Sequence, residues 1–211
     1  MSLYRPFSRM LIATCIAFLM AGSALAETYS IDKVHSSVAF SIRHLVSRTS
    51  GTFNDFAGTI EYDPAHPEKA QVEATIQVSS IDTGNEKRDG HLKKADFFDA
   101  AKYSTITFKS TKARKKGDQL LVTGDFTMHG VTKEVTLPVE VLGMGAHPRN
   151  NAPIAGFESQ IVLKRSDFGV NSWTDMAGVL GDEVKVSLTI EAMGKAKGKA
   201  KGKAKGKAKG K

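Results

Sequence analysis

Over residues 183–192 the chain reads EVKVSLTIEA, and its side chains alternate without a break. Val184, Val186, Leu188, Ile190 and Ala192 fall on one face, while Glu183, Lys185, Ser187, Thr189 and Glu191 fall on the other. A period of two marks a strand with one buried and one wetted face. The run AQVEATIQV at 70–78 repeats the pattern, and Val38/Phe40/Ile42, Ile60/Tyr62, Ile106/Phe108 and Val135/Leu137/Val139/Val141 extend it. Lys116-Gly117-Asp118 and His129-Gly130 have the chemistry of tight hairpins, and residues 63–67 that of a longer turn. The reading predicts strands at 37–45, 50–62, 70–81, 104–112, 119–129, 131–143, 155–164 and 183–193.

Every one of these strands has a single apolar face, and only one segment has helical spacing. A lone helix cannot cover so large a sheet, so the sheet must close on itself or fold into a sandwich. The predicted fold class is all-β: an eight-stranded antiparallel up-and-down barrel with one short helical excursion. A barrel of this size is either filled by its own side chains or holds one apolar ligand. Ala70, Ala74, Gly124, Ser159 and Ala192 are small residues in the inward set, which favours a cavity over a filled core.

The two ends of the chain belong to neither strand nor core. Residues 1–26 carry Arg5 and Arg9, an apolar run over 10–21 and the close Ala24-Leu25-Ala26, the pattern of a cleaved secretory signal peptide. Export to the periplasm is the expectation that follows. The single cysteine, Cys15, lies in that leader, so the domain over 27–193 has neither disulfide nor thiolate chemistry. From Gly194 a Gly-Lys-Ala-Lys repeat runs to Lys211, too charged and too poor in large apolar groups to offset its ordering entropy. Nine of the thirty basic residues sit in this 194–211 tail and two in the leader, leaving nineteen against twenty-two acids, about −3, in the domain. The overall +8 is therefore a property of the tail. Three roles suit it: a solubilising extension, electrostatic contact with an anionic envelope surface, or binding of nucleic acid phosphates, the last opposed by export.

The helical segment begins with Asn85 as N-cap and Glu86 in the first turn. It continues through RDGHLKKADFFD at 88–99, where Phe97 and Phe98 stand side by side among charges. Such a passage lies at one mouth of a barrel, and the paired rings serve either as core beneath a helix or as a lid over a hydrophobic tunnel. His91 and Arg88 beside them either receive a polar head group or, for Arg88, pair with Asp89 or Asp96. The loop 169–181 holds Trp173, Met176, Val179 and Leu180, apolar enough to require burial over a barrel end or against a ligand. No G-x-S-x-G, P-loop, dinucleotide or H-E-x-x-H motif is present. Ser36 with His35 and Asp32 is the single local candidate for a nucleophile, and the same residues equally suit hydrogen bonds that tie down the first strand. The histidines have no metal-ligand spacing, so neither a catalytic set nor a metal or cofactor site is expected.

Certain of these residues also resemble a known family. Asp32-x-x-His35-Ser36, Gly51-x-Phe53, Arg88-x-x-His91-Leu92 and Asp96-Phe97-Phe98-Asp99 are similar in order and type to the YceI-like polyisoprenoid-binding proteins. Gly124-x-Phe126-Thr127-x-His129-Gly130 and Arg165-Ser166-Asp167-Phe168-Gly169 continue the match over residues 28–192, with Ser104 in place of the usual proline. The resemblance implies an exported, lipocalin-like barrel that binds a polyisoprenoid or similar long-chain amphiphile without turning it over. The ligand-binding residues expected on the strands are Phe40, Ile42, Phe53, Ile76, Phe108 and Phe126. From the excursion come His91, Leu92, Phe97 and Phe98, and from the segment after the seventh predicted strand come Phe168 and Trp173. The rival readings are an envelope hydrolase or isomerase acting on such a lipid, and an empty stress-related barrel. A homodimer is left open.

Overall fold

The structure is a computed structural model, and it describes residues 26–173, 176 and 178–196. The leader up to residue 25 and the lysine repeat from 197 lie outside the described residues. Among the described residues eleven strands and one α-helix form in the order β1 (Glu27–Ile31), β2 (Ser37–His44), β3 (Ser47–Phe53), β4 (Phe56–Tyr62), β5 (Gln71–Gln77), β6 (Ile81–Asp82), α1 (Glu86–Leu92), β7 (Thr105–Lys116), β8 (Gln119–Met128), β9 (Val131–Ala146), β10 (Pro153–Lys164) and β11 (Leu180–Gly194).

Antiparallel pairing closes these strands into a barrel. β11 pairs with β10 along one edge and carries two partners in succession along the other: Leu180 to Thr189 pair with β2, and Ala192 to Gly194 pair with β1. β1 and β2 are thus halves of one bent strand, and so are β3 and β4, because β3 pairs with β2 and β4 with β1. The short β6 continues β5 in the same way, pairing with the end of β3. Counted as bent units the ring has eight members, each paired to its sequence neighbours, and the last closes on the first. The architecture is a closed eight-stranded antiparallel up-and-down barrel, as the alternation requires.

The bends have local causes. At 32–36, Asp32 Oδ1 accepts from Val34 N–H, Asp32 Oδ2 accepts from the His35 ring, and Ser36 Oγ both donates to and accepts from the backbone of Glu191. At 54–55, Asn54 N–H donates to the Ser80 carbonyl, and its amide reaches Asp82 Oδ2. Lys33 Nζ meets Asp55 Oδ1 at 3.0 Å, joining the two corners. The predicted single strand over 50–62 is therefore two strands meeting at a corner, and β1 begins ten residues before the predicted first strand. β7 and β9 run past 112 and 143 because pairing carries them: Lys112 to Lys116 against Gln119 to Thr123, and Met144 to Ala146 against Pro153 to Ala155. Cross-strand hydrogen bonds here override a sequence that does not alternate.

Two buried clusters divide the interior. One end is packed solid around Tyr29, Tyr62, Leu120, Val122 and Phe157, with the Tyr62 and Phe157 rings edge-on at 5.7 Å. Ala70, Ala155 and Ala192 sit among these aromatics. Two of the small residues that suggested a cavity, Ala70 and Ala192, therefore serve the filled end, where they make room for rings, and of the predicted set Ala74 alone borders the cavity. The other cluster, around Val38, Phe53, Phe56, Val78, Phe97, Ile106 and Met128, lies under the helical excursion. Gly51 belongs to its edge: a Cβ there would stand 2.6 Å from Phe40 Cζ and 2.8 Å from the Asp82 carbonyl, so only glycine lets that ring lie on the strand.

Candidate functional site: an apolar cavity and its mouth

Between the filled end and the excursion the barrel encloses a cavity of about 610 Å³. This lies within the range of roughly 300–1,000 Å³ typical of small-molecule pockets. Its walls come from alternate residues of the strands. β11 contributes Leu180, Val184, Val186, Leu188 and Ile190; β2 contributes Val38, Phe40 and Ile42; β5 contributes Val72, Ala74 and Ile76. The β11 wall from Leu180, paired with His44, to Leu188, paired with Val38, spans six residue steps of β2, about 20 Å along the strand or roughly 15 Å along a barrel axis tilted by about 40°. The space is bordered almost wholly by carbon.

The polar residues of the wall gather at one end: His44, Thr49, Thr83, Lys87, Arg88, His91 and Arg165. Lys87 and Arg88 are themselves exposed, so the cavity reaches the surface there. α1 positions this end as its sequence dictates, with Asn85 Oδ1 accepting from Arg88 N–H at 3.0 Å. Arg88 does not pair with Asp89 or Asp96. Its Nε and Nη2 donate to the hydroxyl and carbonyl of Thr83, both at 2.7 Å. His91 Nε2–H donates to Asp96 Oδ2 at 2.7 Å, and this bond holds the Asp96 carboxyl below its ordinary value.

Phe97 and Phe98 fill both roles that the sequence left open. Phe97 is only 4% exposed and belongs to the core under the excursion, yet its ring also borders the cavity. It meets His91 at 4.9 Å and Trp173 at 5.6 Å, each edge to face. Phe98 packs edge-on against Phe53 at 6.0 Å, and Phe53 in turn against Phe40 at 5.5 Å. The structure brings Phe40, Ile42, Phe53, Ile76, Phe108 and Phe126 to the wall from the strands, with His91, Leu92, Phe97, Phe98 and Trp173 at the mouth.

Phe168 is the exception. It lies in the 3₁₀ turn Arg165–Phe168, outside the cavity wall, with its ring against the far side of Phe126 at 5.2 Å. The turn reverses the alternation at the end of β10, so the side chain backs the wall instead of forming it. The loop after it is also less buried than its composition implied: Trp173 keeps 38% and Met176 43% of its surface exposed.

Arg165 was not among the expected site residues, although its place could be read. Phe157, Ser159, Ile161 and Leu163 set the inward parity of β10, and Arg165 is the next position on that face. The residue is only 4% exposed. Nε donates to the Gly181 carbonyl at 2.9 Å, and Nη1 donates to the carbonyls of Val170 and Ser172 at 2.8 and 2.6 Å. Burial pulls its pKa down, and the neighbouring Asp182 partly offsets this. Burial also pushes the Asp182 carboxyl up, but hydrogen bonds from the Ser166 amide and hydroxyl, with Arg165 beside it, hold it below its ordinary value. Arg165 thus ties the 169–181 loop to the barrel from within.

At the opposite corner Asp32, His35 and Glu191 stand together on the surface. His35 Nδ1–H donates to Asp32 Oδ2 at 2.8 Å, while both hydrogen-bonding roles of Ser36 Oγ go to the Glu191 backbone. The serine is directed to the strand pairing and not to the histidine, which is the arrangement of a tied corner.

A closed eight-stranded barrel with one packed end, one aromatic mouth and an apolar cavity between them defines a lipocalin-like binding barrel. The YceI-like domain model matches residues 29–192, and the chain belongs to that family. Protein YceI of Escherichia coli O157:H7 is 43% identical over 188 residues, covering 87% of this chain and 96% of that protein. The crystal structure of BcnA from Burkholderia cenocepacia superposes with a TM-score of 0.70 at 29% identity, covering 76% of this chain and 98% of BcnA. A polyisoprenoid binding domain from Saccharophagus degradans, implicated in plant cell wall breakdown, shares the fold with a TM-score of 0.61 at 19% identity, covering 81% and 99% of the two chains.

Proposed function

We propose that the protein is a periplasmic carrier that holds a polyisoprenoid or similar long-chain amphiphile in the barrel, without chemical turnover. The observation that carries this reading is the carbon-lined cavity of about 610 Å³, polar only at its mouth. A chain burying ten methylene groups there gains on the order of 8 kcal/mol before the entropy of association is subtracted. Such a site needs shape and dryness more than particular polar groups, which suits the absence of a sharp sequence motif. Family membership supports a binding role, and the name of the Saccharophagus degradans neighbour points to the polyisoprenoid class. The leader pattern at 1–26 supports export. The lysine repeat supports attraction to anionic envelope lipid, at about 1 kcal/mol per residue near the surface.

The test is native mass spectrometry of protein isolated from its own envelope, followed by solvent extraction. An intact long-chain lipid released at about one per chain is the expected result. A cleaved or isomerised product would replace the carrier with an enzyme, and protein that flies without any adduct would remove the proposal.

A further inference from the structure

We propose that the mouth of the barrel docks on an anionic lipid bilayer, with the Leu45-Val46 tip, Trp173 and Met176 entering its interfacial layer. This rests on the carrier reading for its purpose, because an amphiphile moving between membrane and cavity then never crosses water.

The first observation is where the apolar surface is left uncovered. β2 and β3 turn through just two residues, with His44 paired to Ser47. Such turns call for glycine, asparagine or aspartate. Here the two residues are leucine and valine; Val46 is fully exposed and Leu45 is 49% exposed. Leu45 holds φ at 50° and Trp173 holds φ at 61°, the left-handed region that bulky side chains avoid. A hairpin tip so composed is unfavourable in water on both counts. The Leu45 N–H donates to the Val179 carbonyl at 2.8 Å, binding the tip to the loop that carries Met176. Of the exposed large hydrophobic groups among the described residues, Leu45, Val46, Trp173 and Met176 stand at the mouth, while Val34, Leu142, Met144 and Val162 lie elsewhere on the barrel.

The second observation is charge. Arg43 and Arg48 stand directly opposite each other on β2 and β3, a like-charge pair that disfavours the sheet. Arg43 Nε donates to the Leu45 carbonyl, and Arg48 donates to Ser41, so neither finds a carboxylate. Lys87 and Arg88 are exposed at the cavity opening. Among the described residues none of these four is in an ion pair. The nearby acids are Glu86, Asp82, Asp89, Asp96 and Asp182; Asp82 accepts from Asn54 and Gly84, Asp89 from Thr83, Asp96 from His91 and Asp182 from Ser166. Cations around an apolar tip, with a tryptophan beside it, match the phosphate and acyl layers of an anionic membrane. The third observation is continuity: Trp173, Lys87 and Arg88 belong to the rim and to the cavity wall at once.

The experiment is co-sedimentation of the full chain with phosphatidylglycerol/phosphatidylcholine vesicles at about 150 mM salt, where screening limits attraction by distant lysines. The comparison is the double substitution Leu45→Gly, Val46→Asn, which places glycine at the turn position with positive φ and should fold at least as stably as the parent. At least tenfold weaker binding by the variant is expected. Trp173, the single tryptophan, should shift to the blue in the vesicle pellet, while protein left in the supernatant keeps its aqueous spectrum. Equal binding by the variant would overturn the proposal. So would bound protein with an unshifted Trp173, which would assign docking to the lysine repeat. Self-association without vesicles, lost in the variant, would assign the rim to a second copy and overturn it as well. Lipid content is measured on the same samples: Trp173 insertion without retained lipid keeps the docking and removes the carrier, and retained lipid without insertion does the reverse.

Discussion

The ring of Phe97 meets that of Trp173 edge to face, with centroids 5.6 Å apart. One residue comes from the excursion after β6 and the other from the loop after β10, so the contact spans the mouth of the cavity and joins segments that share no hydrogen-bonded strand. Its two members differ in burial, 4% exposed against 38%, and this separates their roles. Phe97→Ala removes a core ring and should cost about 3–5 kcal/mol. Trp173→Ala should cost less than about 1.5 kcal/mol yet release a bound long-chain probe several-fold faster. Urea denaturation and stopped-flow displacement check the two halves. Equal destabilisation with unchanged release would deny Trp173 a part in closing the mouth.

Ala74 has open space in front of it, unlike the alanines of the packed end. Enlarging a residue in a filled core usually costs about 1–3 kcal/mol. At Ala74 the substitution Ala74→Phe should leave the thermal midpoint within a few degrees while lowering the affinity for a long-chain amphiphile at least tenfold. The same change at Ala192, which is fully buried beside Tyr29, should unfold the protein. Paired calorimetry and binding titrations decide between a void and a filled interior at each position.

Arg165 is the interior tie of the 169–181 loop. Each hydrogen bond from a charged donor to a buried carbonyl contributes about 1.5–3 kcal/mol. Arg165→Ala should therefore destabilise the barrel by roughly 3–5 kcal/mol, leaving three carbonyls without their donor. Arg165→Lys should recover little, because an ammonium cannot span the Gly181, Val170 and Ser172 carbonyls at once. Chemical denaturation of both variants is the check, and full recovery by lysine would show that charge alone matters there.

The corner pair gives a pH dependence with a definite sign. The hydrogen bond between them, the leading cause for each, raises the His35 pKa and lowers that of Asp32. The histidine contribution is complete below the ordinary value of about 6.5 and fades as pH rises through the raised one. The aspartate contribution is present above about 3.9 and fades as pH falls through the depressed one. The stability gap between the parent and His35→Gln should be widest between about pH 4 and 6.5 and should narrow above neutrality. Urea midpoints measured across pH test this, and a gap that widened in alkali would contradict the pairing.

Alternation made the barrel legible, because a one-faced strand without helices to cover it admits few architectures. The bends were passed over. In residues 50–62 Phe53 and Phe56 stand three apart across Asn54-Asp55, a flip of parity that marks the break, and the corner itself depends on Asn54 reaching Ser80 and Asp82, contacts remote in sequence. The strand walls of the cavity followed from parity, and the same parity pointed to Arg165, though a charge on an inward face was passed over. Phe168 was misplaced because a 3₁₀ turn changes the period at the last moment. The small residues misled about location: alanine marks a place for a neighbour's ring as readily as an open space, and only the packing distinguishes them. The exposed Leu45-Val46 tip was not singled out, because Leu45 closed the predicted strand 37–45 and Val46 fell in the gap before 50–62, whereas the turn comes between His44 and Ser47.

The central claim is a dry, occupied tunnel, and a crystal structure of protein isolated from its own envelope tests it most directly. The density expected is a continuous unbranched tube beginning near Trp173 and running between Phe126 and Val186 toward Ile60, with no ordered water along it. A chain of hydrogen-bonded waters in that space, or side chains from both walls meeting across it, would contradict the account.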